Sequence, residues 1–122
     1  MRATVLIAED EPMIGRILAE KLTREGHAVS RAATVGELEA ALGSCDVALV
    51  DATLDRDGIE AMERLARAGL GPRTGWFAMI ESRASATGAS AVEAGAAGVI
   101  VKPFKPTAVA AKVAALLAAL AR

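Results

Sequence analysis

Cysteine occurs once in the 122 residues, tyrosine never, and Trp76 with two phenylalanines makes up the aromatic side chains. A lone Cys45 excludes an internal disulfide, which fits a reducing compartment. So few aromatics supply no stacking platform for bases. The balance of 14 basic and 15 acidic residues, a net charge of −1, leaves no cationic surplus to grip phosphodiesters. Nucleic acid is therefore not an expected direct partner. No apolar run reaches the ~18 residues of a spanning helix. The opening MRATVLIAEDEP has too short an apolar stretch, closed by acids, for a signal peptide. A soluble cytoplasmic chain away from the membrane is the expectation.

What the chain does have is a hydrophobic fraction of 53%, much of it alanine, enough for a core at a length that suits one domain over residues 1–122. Strand-like runs alternate with helical patterns throughout. ATVLIA (3–8) reads as a first strand. A helix over 12–25 follows, opened by Pro12, with Ile14, Ile17, Leu18 and Leu22 on one face and Gly26 at its end. HAVSRA (27–32) is a second strand, and Thr34 with Glu37 forms a capping box for a helix at about 35–43. DVALVDA (46–52) is a third strand, followed by the loop TLDRDG and a helix at about 58–68 that Gly69 ends. GWFAMI (75–80) is a fourth strand, the Ala/Ser-rich segment 84–94 a helix of weak propensity, and AGVIV (97–101) a fifth strand. Pro106 opens a last helix to about residue 121. Five βα units of this length imply a doubly wound parallel sheet with helices on both faces.

In such sheets ligands bind beyond the carboxyl ends of the strands. Strand one ends in Glu9, Asp10 and Glu11, strand three in Asp51, strand four near Ile80, Glu81 and Ser82, and strand five in Lys102. Carboxylates crowded at one sheet edge raise one another's pKa values unless a cation neutralises them. Oxygen ligands without histidine or cysteine suit a hard ion, Mg²⁺ or Mn²⁺. A divalent ion, a lysine and a free carboxylate together serve phosphoryl transfer, with the carboxylate attacking phosphorus to give an aspartyl phosphate.

These residues also carry a family resemblance. The acid pair in LIAEDEP, the aspartate closing VALVDA, the glycine of DRDG and the run AGAAGVIVKPF are similar, in order and spacing, to a response-regulator receiver domain of the chemotaxis-regulator kind. The resemblance implies a flavodoxin-like (βα)5 fold with strand order 2-1-3-4-5. It makes Asp51 the phosphoacceptor, and gives Glu9, Asp10, Asp51 and the backbone carbonyl of Thr53 to the metal. Lys102 would pair with Asp51, and the Lys102–Pro103 bond would be cis. It further implies a stand-alone receiver with no output domain, not an enzyme acting on other molecules. A sensor histidine kinase or histidine phosphotransfer protein would be the donor, docking beside Met13, Arg16 and Ile17. Signalling and possible homodimerisation would use the last strand and helix.

Three departures stand out. DATLDRDG is one residue shorter than the usual loop, and Asp55 replaces a common proline, either near the metal or in solvent. Strand four usually ends in a Ser or Thr that bonds the phosphoryl group. Counting back from Lys102 without gaps lands on Ile80, whereas a two-residue shift supplies Ser82. The aromatic usual on strand five is Val99. These departures motivate an alternative, a receiver-fold interaction module with little or no phosphorylation. Elsewhere the expectations are bland. Glu11 is a first-turn helix acid, His27 structural, Cys45 a small buried residue and the four methionines core filler. Trp76 and Phe77 pack the sheet against its helices, and Val109, Val113, Leu116, Leu117 and Leu120 cover it from the last helix.

Overall fold

A computed structural model describes residues 2–82 and 86–120. The chain runs β1 (Thr4–Ala8), α1 (Pro12–Arg24), β2 (Ala28–Ala32), α2 (Val35–Ala41) with a 3₁₀ turn at Leu42–Ser44, β3 (Val47–Asp51), α3 (Gly58–Arg67), β4 (Gly75–Ile80), α4 (Ala86–Glu93), β5 (Gly98–Val101) and α5 (Pro106–Leu120). Of the expected helices, residues 84, 85 and 121 lie outside the described part, as do the surroundings of Leu120.

The five strands form one parallel sheet in the order β2-β1-β3-β4-β5. Side chains alternate across it, so each strand feeds two cores. Leu6, Ala48, Val50, Trp76, Ala78 and Ile80 meet α2, α3 and α4 on one face. Val5, Ile7, Val47, Leu49, Phe77, Met79 and Ile100 meet Leu18 and Leu22 of α1 and Val109, Val113 and Leu117 of α5 on the other. β3 is buried at every position, as a central parallel strand covered on both faces must be. Burying each leucine or valine fully contributes about 1.5–3 kcal/mol.

Local chemistry sets the element ends. Glu37 N–H donates to the Thr34 hydroxyl (3.1 Å), while the Glu37 carboxylate accepts from Ala33 rather than from Thr34 itself (2.7 Å). Asp57 caps α3 by accepting from Ile59 and Glu60 N–H, both at 3.0 Å. Gly58 follows because a β-carbon there would lie 2.1 Å from the Asp51 carbonyl oxygen. His27 is buried and its Nδ1 accepts from Ala3 N–H (3.1 Å), tying the entry of β2 to β1.

Several expectations are corrected. Met13 is 61% exposed and Ile17 42%, so neither fills the core, unlike Met62 and Met79. Both lie on α1 beyond the arc that Leu18 and Leu22 press against the sheet. Glu11 precedes α1 instead of entering its first turn, and its N–H donates to Glu9 Oε2 (3.2 Å). Of the two places allowed for Asp55, it takes the solvent-exposed one, outside the acid cluster, and there accepts from Val35 N–H at the start of α2 (2.7 Å).

Candidate functional site

Glu9, Asp51 and Lys102 continue the alternation two residues beyond Ile7, Leu49 and Ile100, all of which face α1 and α5. The pleat therefore aims three charged side chains at the same side of the carboxyl edge. β1 and β3 are neighbours, so their acids meet directly, and Lys102 reaches them past the end of β4. Its Nζ lies 2.8 Å from Asp51 Oδ2 and 2.7 Å from Glu9 Oε1. Carboxylate oxygens of Glu9, Asp10 and Asp51 all fall within 4.8 Å of one another, with Asp10 on the exposed rim. Asp51 Oδ1 accepts from Thr53 N–H at 3.0 Å, and the Thr53 hydroxyl is 3.4 Å away. The Lys102–Pro103 bond is cis.

The electrostatics follow from burial. Burial and a hydrogen bond shared with Asp51 push the Glu9 carboxyl up to about 7, against the pull of Lys102. Burial also works to raise Asp51. Hydrogen bonds from Glu9, Lys102 and the Thr53 amide overcome it and hold Asp51 below the usual carboxylate range. Lys102 is likewise desolvated, yet its two acidic partners raise it and keep it charged. Near neutral pH the Glu9 carboxyl is therefore only partly ionised.

The ammonium contact to Glu9 Oε1 is short, but its angles do not make a hydrogen bond, and this buried oxygen is left without one. Three converging acids with no nitrogen or sulfur ligand among them, one of their buried oxygens held only by the Lys102 ammonium, fit a hard divalent ion.

The response-regulator receiver domain family matches residues 5–114. The chain belongs to that family. In this receiver the solved structures agree on the fold. A response regulator receiver domain protein from Methanospirillum hungatei is 27% identical, with a TM-score of 0.81 over 94% of this chain and 93% of that one. A response regulator from Chloroflexus aurantiacus is 25% identical, with a TM-score of 0.84 over 97% of this chain and 99% of that one. NtrX from Brucella abortus, at 24% identity, superposes with a TM-score of 0.86 over 98% of this chain. The present chain spans only 28% of that NtrX chain. No curated protein matches it in sequence.

Of the residues singled out from the sequence, Glu9, Asp10, Asp51 and Lys102 come together, and Thr53 adjoins them. Ile80 ends β4 as a 2% exposed packing residue, its Cδ1 3.5 Å from the β-carbon position of Gly88 on α4. Ser82 lies past the strand end, exposed, and borders a cavity of about 140 Å³ that opens on Asp51. Val99 is half-buried against the α4 side of the sheet. Sequence reasoning passed over Thr87, which borders the same cavity from α4. Its only signal was a hydroxyl in an alanine-rich stretch without apolar periodicity.

Proposed function

We propose that this receiver accepts a phosphoryl group on Asp51 from a phosphohistidine of a sensor kinase or phosphotransfer protein, in a Mg²⁺-dependent reaction. The observation that carries the reading is the placement of the Lys102 ammonium 2.8 Å from the Asp51 carboxylate inside a cluster of three acids. One Asp51 oxygen forms the new P–O bond as the P–N bond breaks, and the electron pair stays on the imidazole nitrogen. Lys102 orients the attacking carboxylate beforehand and neutralises phosphoryl oxygens afterwards. The Thr53 amide fixes the carboxylate's rotation. Glu9, Asp10, Asp51 and the Thr53 carbonyl would hold the ion. When bound, Mg²⁺ would offset the acids' mutual repulsion and the charge on the phosphoryl group.

The protein assists its own modification and does not turn over another substrate. The added group brings about −1.5 to −2 charges. Driving a switch from mostly inactive to mostly active takes about 5.5 kcal/mol. One charge-assisted hydrogen bond contributes about 1.5–3 kcal/mol, so more than one new contact is needed to bias the last loops, β5 and α5. A groove of about 210 Å³ lined by Ile14, Ile17, Pro103, Phe104 and Pro106 lies beside Lys102 and suits an apolar docking helix.

Acetyl phosphate with Mg²⁺ should label the protein, and Asp51→Asn should abolish the label. Retention of label in that variant would move the site elsewhere. The buried Ile80 at the end of β4 favours one second reading, an interaction module indifferent to phosphodonor. That reading expects no labelling and partner binding unchanged in Asp51→Asn.

A further inference from the structure

β2 ends level with β1, Ala32 beside Ala8 and Arg31 beside Ile7, and these two residues hold the segment that carries the acids. The Ala32 carbonyl accepts from Glu9 N–H at 2.9 Å, which fixes the start of that segment. Ile7 faces α1, so Arg31, in register with it, leaves the sheet on the same side. There its Nη2 donates to the Pro12 carbonyl at 3.1 Å, which fixes the far end. Glu9, Asp10 and Glu11 lie between the two anchors.

The seat of this guanidinium is built into α1. Gly15 is buried in the helix interior, where glycine is less favourable than alanine. A β-carbon there would lie 2.6 Å from Arg31 Nη2, 3.1 Å from Nε and 3.2 Å from Cζ. The helix forgoes a side chain, and the arginine lies against its backbone. An arginine on an exposed edge strand is ordinarily left to solvent, whereas this one has both a seat and an acceptor.

The restraint reaches the acids by a short path. Pro12 opens α1, and Glu11 beside it donates its N–H to Glu9 Oε2 at 3.2 Å. Glu9 Oε1 in turn faces the Lys102 ammonium at 2.7 Å. Asp10, exposed on the rim, goes where the backbone between the anchors takes it. Arg31 bonds the Pro12 carbonyl, not the acids, so it acts on them through the chain.

We propose that Arg31, seated on Gly15, is a positioning residue for the metal-binding acids. By holding the Pro12 carbonyl it keeps Glu9 and Asp10 turned toward Asp51. The inference rests on the reading of Asp51 as a Mg²⁺-dependent phosphoacceptor. A ligand held out of place weakens binding even when every donor atom is present. The sign of the effect identifies the role. Deleting a positive charge near a cation site leaves binding unchanged or tightens it, by Coulomb's law. Losing a positioning contact weakens it.

Calorimetric Mg²⁺ titration at pH 8 tests this. Arg31→Met should weaken Mg²⁺ affinity about three- to tenfold, the worth of one hydrogen bond. Arg31→Lys, which can still donate to the carbonyl, should recover most of it. Gly15→Ala is the sharper variant, because it keeps Arg31 and favours the helix while its methyl displaces the guanidinium. It should weaken Mg²⁺ binding to a similar extent, with stability in urea no lower than the parent's. The double variant Gly15→Ala, Arg31→Met should bind no worse than either alone. Parental or tighter affinity in Arg31→Met, or parental affinity in Gly15→Ala, would overturn the positioning role. So would affinities that simply follow the unfolding midpoints across the set. No Mg²⁺ binding by the unsubstituted protein would instead overturn the metal-dependent reading of Asp51, and the role of Arg31 with it.

Discussion

A β-carbon at Gly58 would stand 2.1 Å from the Asp51 carbonyl oxygen and 3.2 Å from Val50 Cγ1, so the loop after β3 must retreat to admit one. Gly58→Ala is expected to cost about 2–3 kcal/mol by urea unfolding, the upper range for overpacking, since backbone rather than a flexible side chain blocks it. Glu9 poses a different question. Its carboxyl, pushed up to about 7 by burial and by Asp51, holds a proton that must leave before its oxygen can ligate an ion. Below that pH the proton competes with the metal, and above it the competition ends. Mg²⁺ affinity should therefore weaken about tenfold per unit as pH falls below 7, and level off above 8. Calorimetric titrations at pH 6, 7 and 8 check this, and Glu9→Gln should flatten the profile while weakening binding overall. Neither group stood out from its type alone. The acid pair of LIAEDEP stood out because it closes a strand, and the glycine of DRDG, at the start of α3, entered through the family resemblance.

Elements differ in how openly their sequences declare them. α3 has a clear apolar face in Ile59, Met62 and Leu65, and Asp57 before it marks the start. α4 has almost no periodicity, and what holds it is complementary shape: Ala91 fully buried, and Gly88 seated over Ile80. That pairing explains why counting from Lys102 met an isoleucine where a hydroxyl was sought. The position serves helix packing, a fact no one-residue pattern carries. Ile80→Ala should cost about 2–4 kcal/mol, read by thermal or urea unfolding. The folded protein should still take label from acetyl phosphate, because Ile80 gives Asp51 no hydrogen bond. Asp55 was equally opaque, since its partner Val35 lies 20 residues away and only the fold brings the start of α2 over the loop. Asp55→Ala should loosen that loop and lower stability by about 1 kcal/mol, as loss of a helix-end acceptor does, with Asp55→Asn close to the parent.

At the scale of the whole molecule, strand alternation and the order of strand-end residues made the sheet and its acid cluster legible. The surfaces were legible only through the family resemblance, because a partner leaves no periodic mark on a helix. Met13 was counted among the core methionines and Ile17 on the helix face with Leu18 and Leu22, while the resemblance set both at a docking side; both stand exposed, and Ile17 lines the groove with Phe104 and Pro106. Ile17 is on α1 and outside the acid cluster, so chemistry and docking are separable. Ile17→Asp should leave the rate of labelling by phosphoramidate, a small P–N donor, within about twofold. Transfer from a phosphorylated histidine phosphotransfer protein should slow about tenfold or more, the effect of one lost apolar anchor worth over 1 kcal/mol at an interface. Equal slowing with both donors would mean that the substitution reaches Asp51 through the fold. Equal rates with both would place the donor on another face, with the cavity of about 510 Å³ between α4 and the β3–α3 loop, on the opposite side of the sheet, the next surface to test by the same comparison.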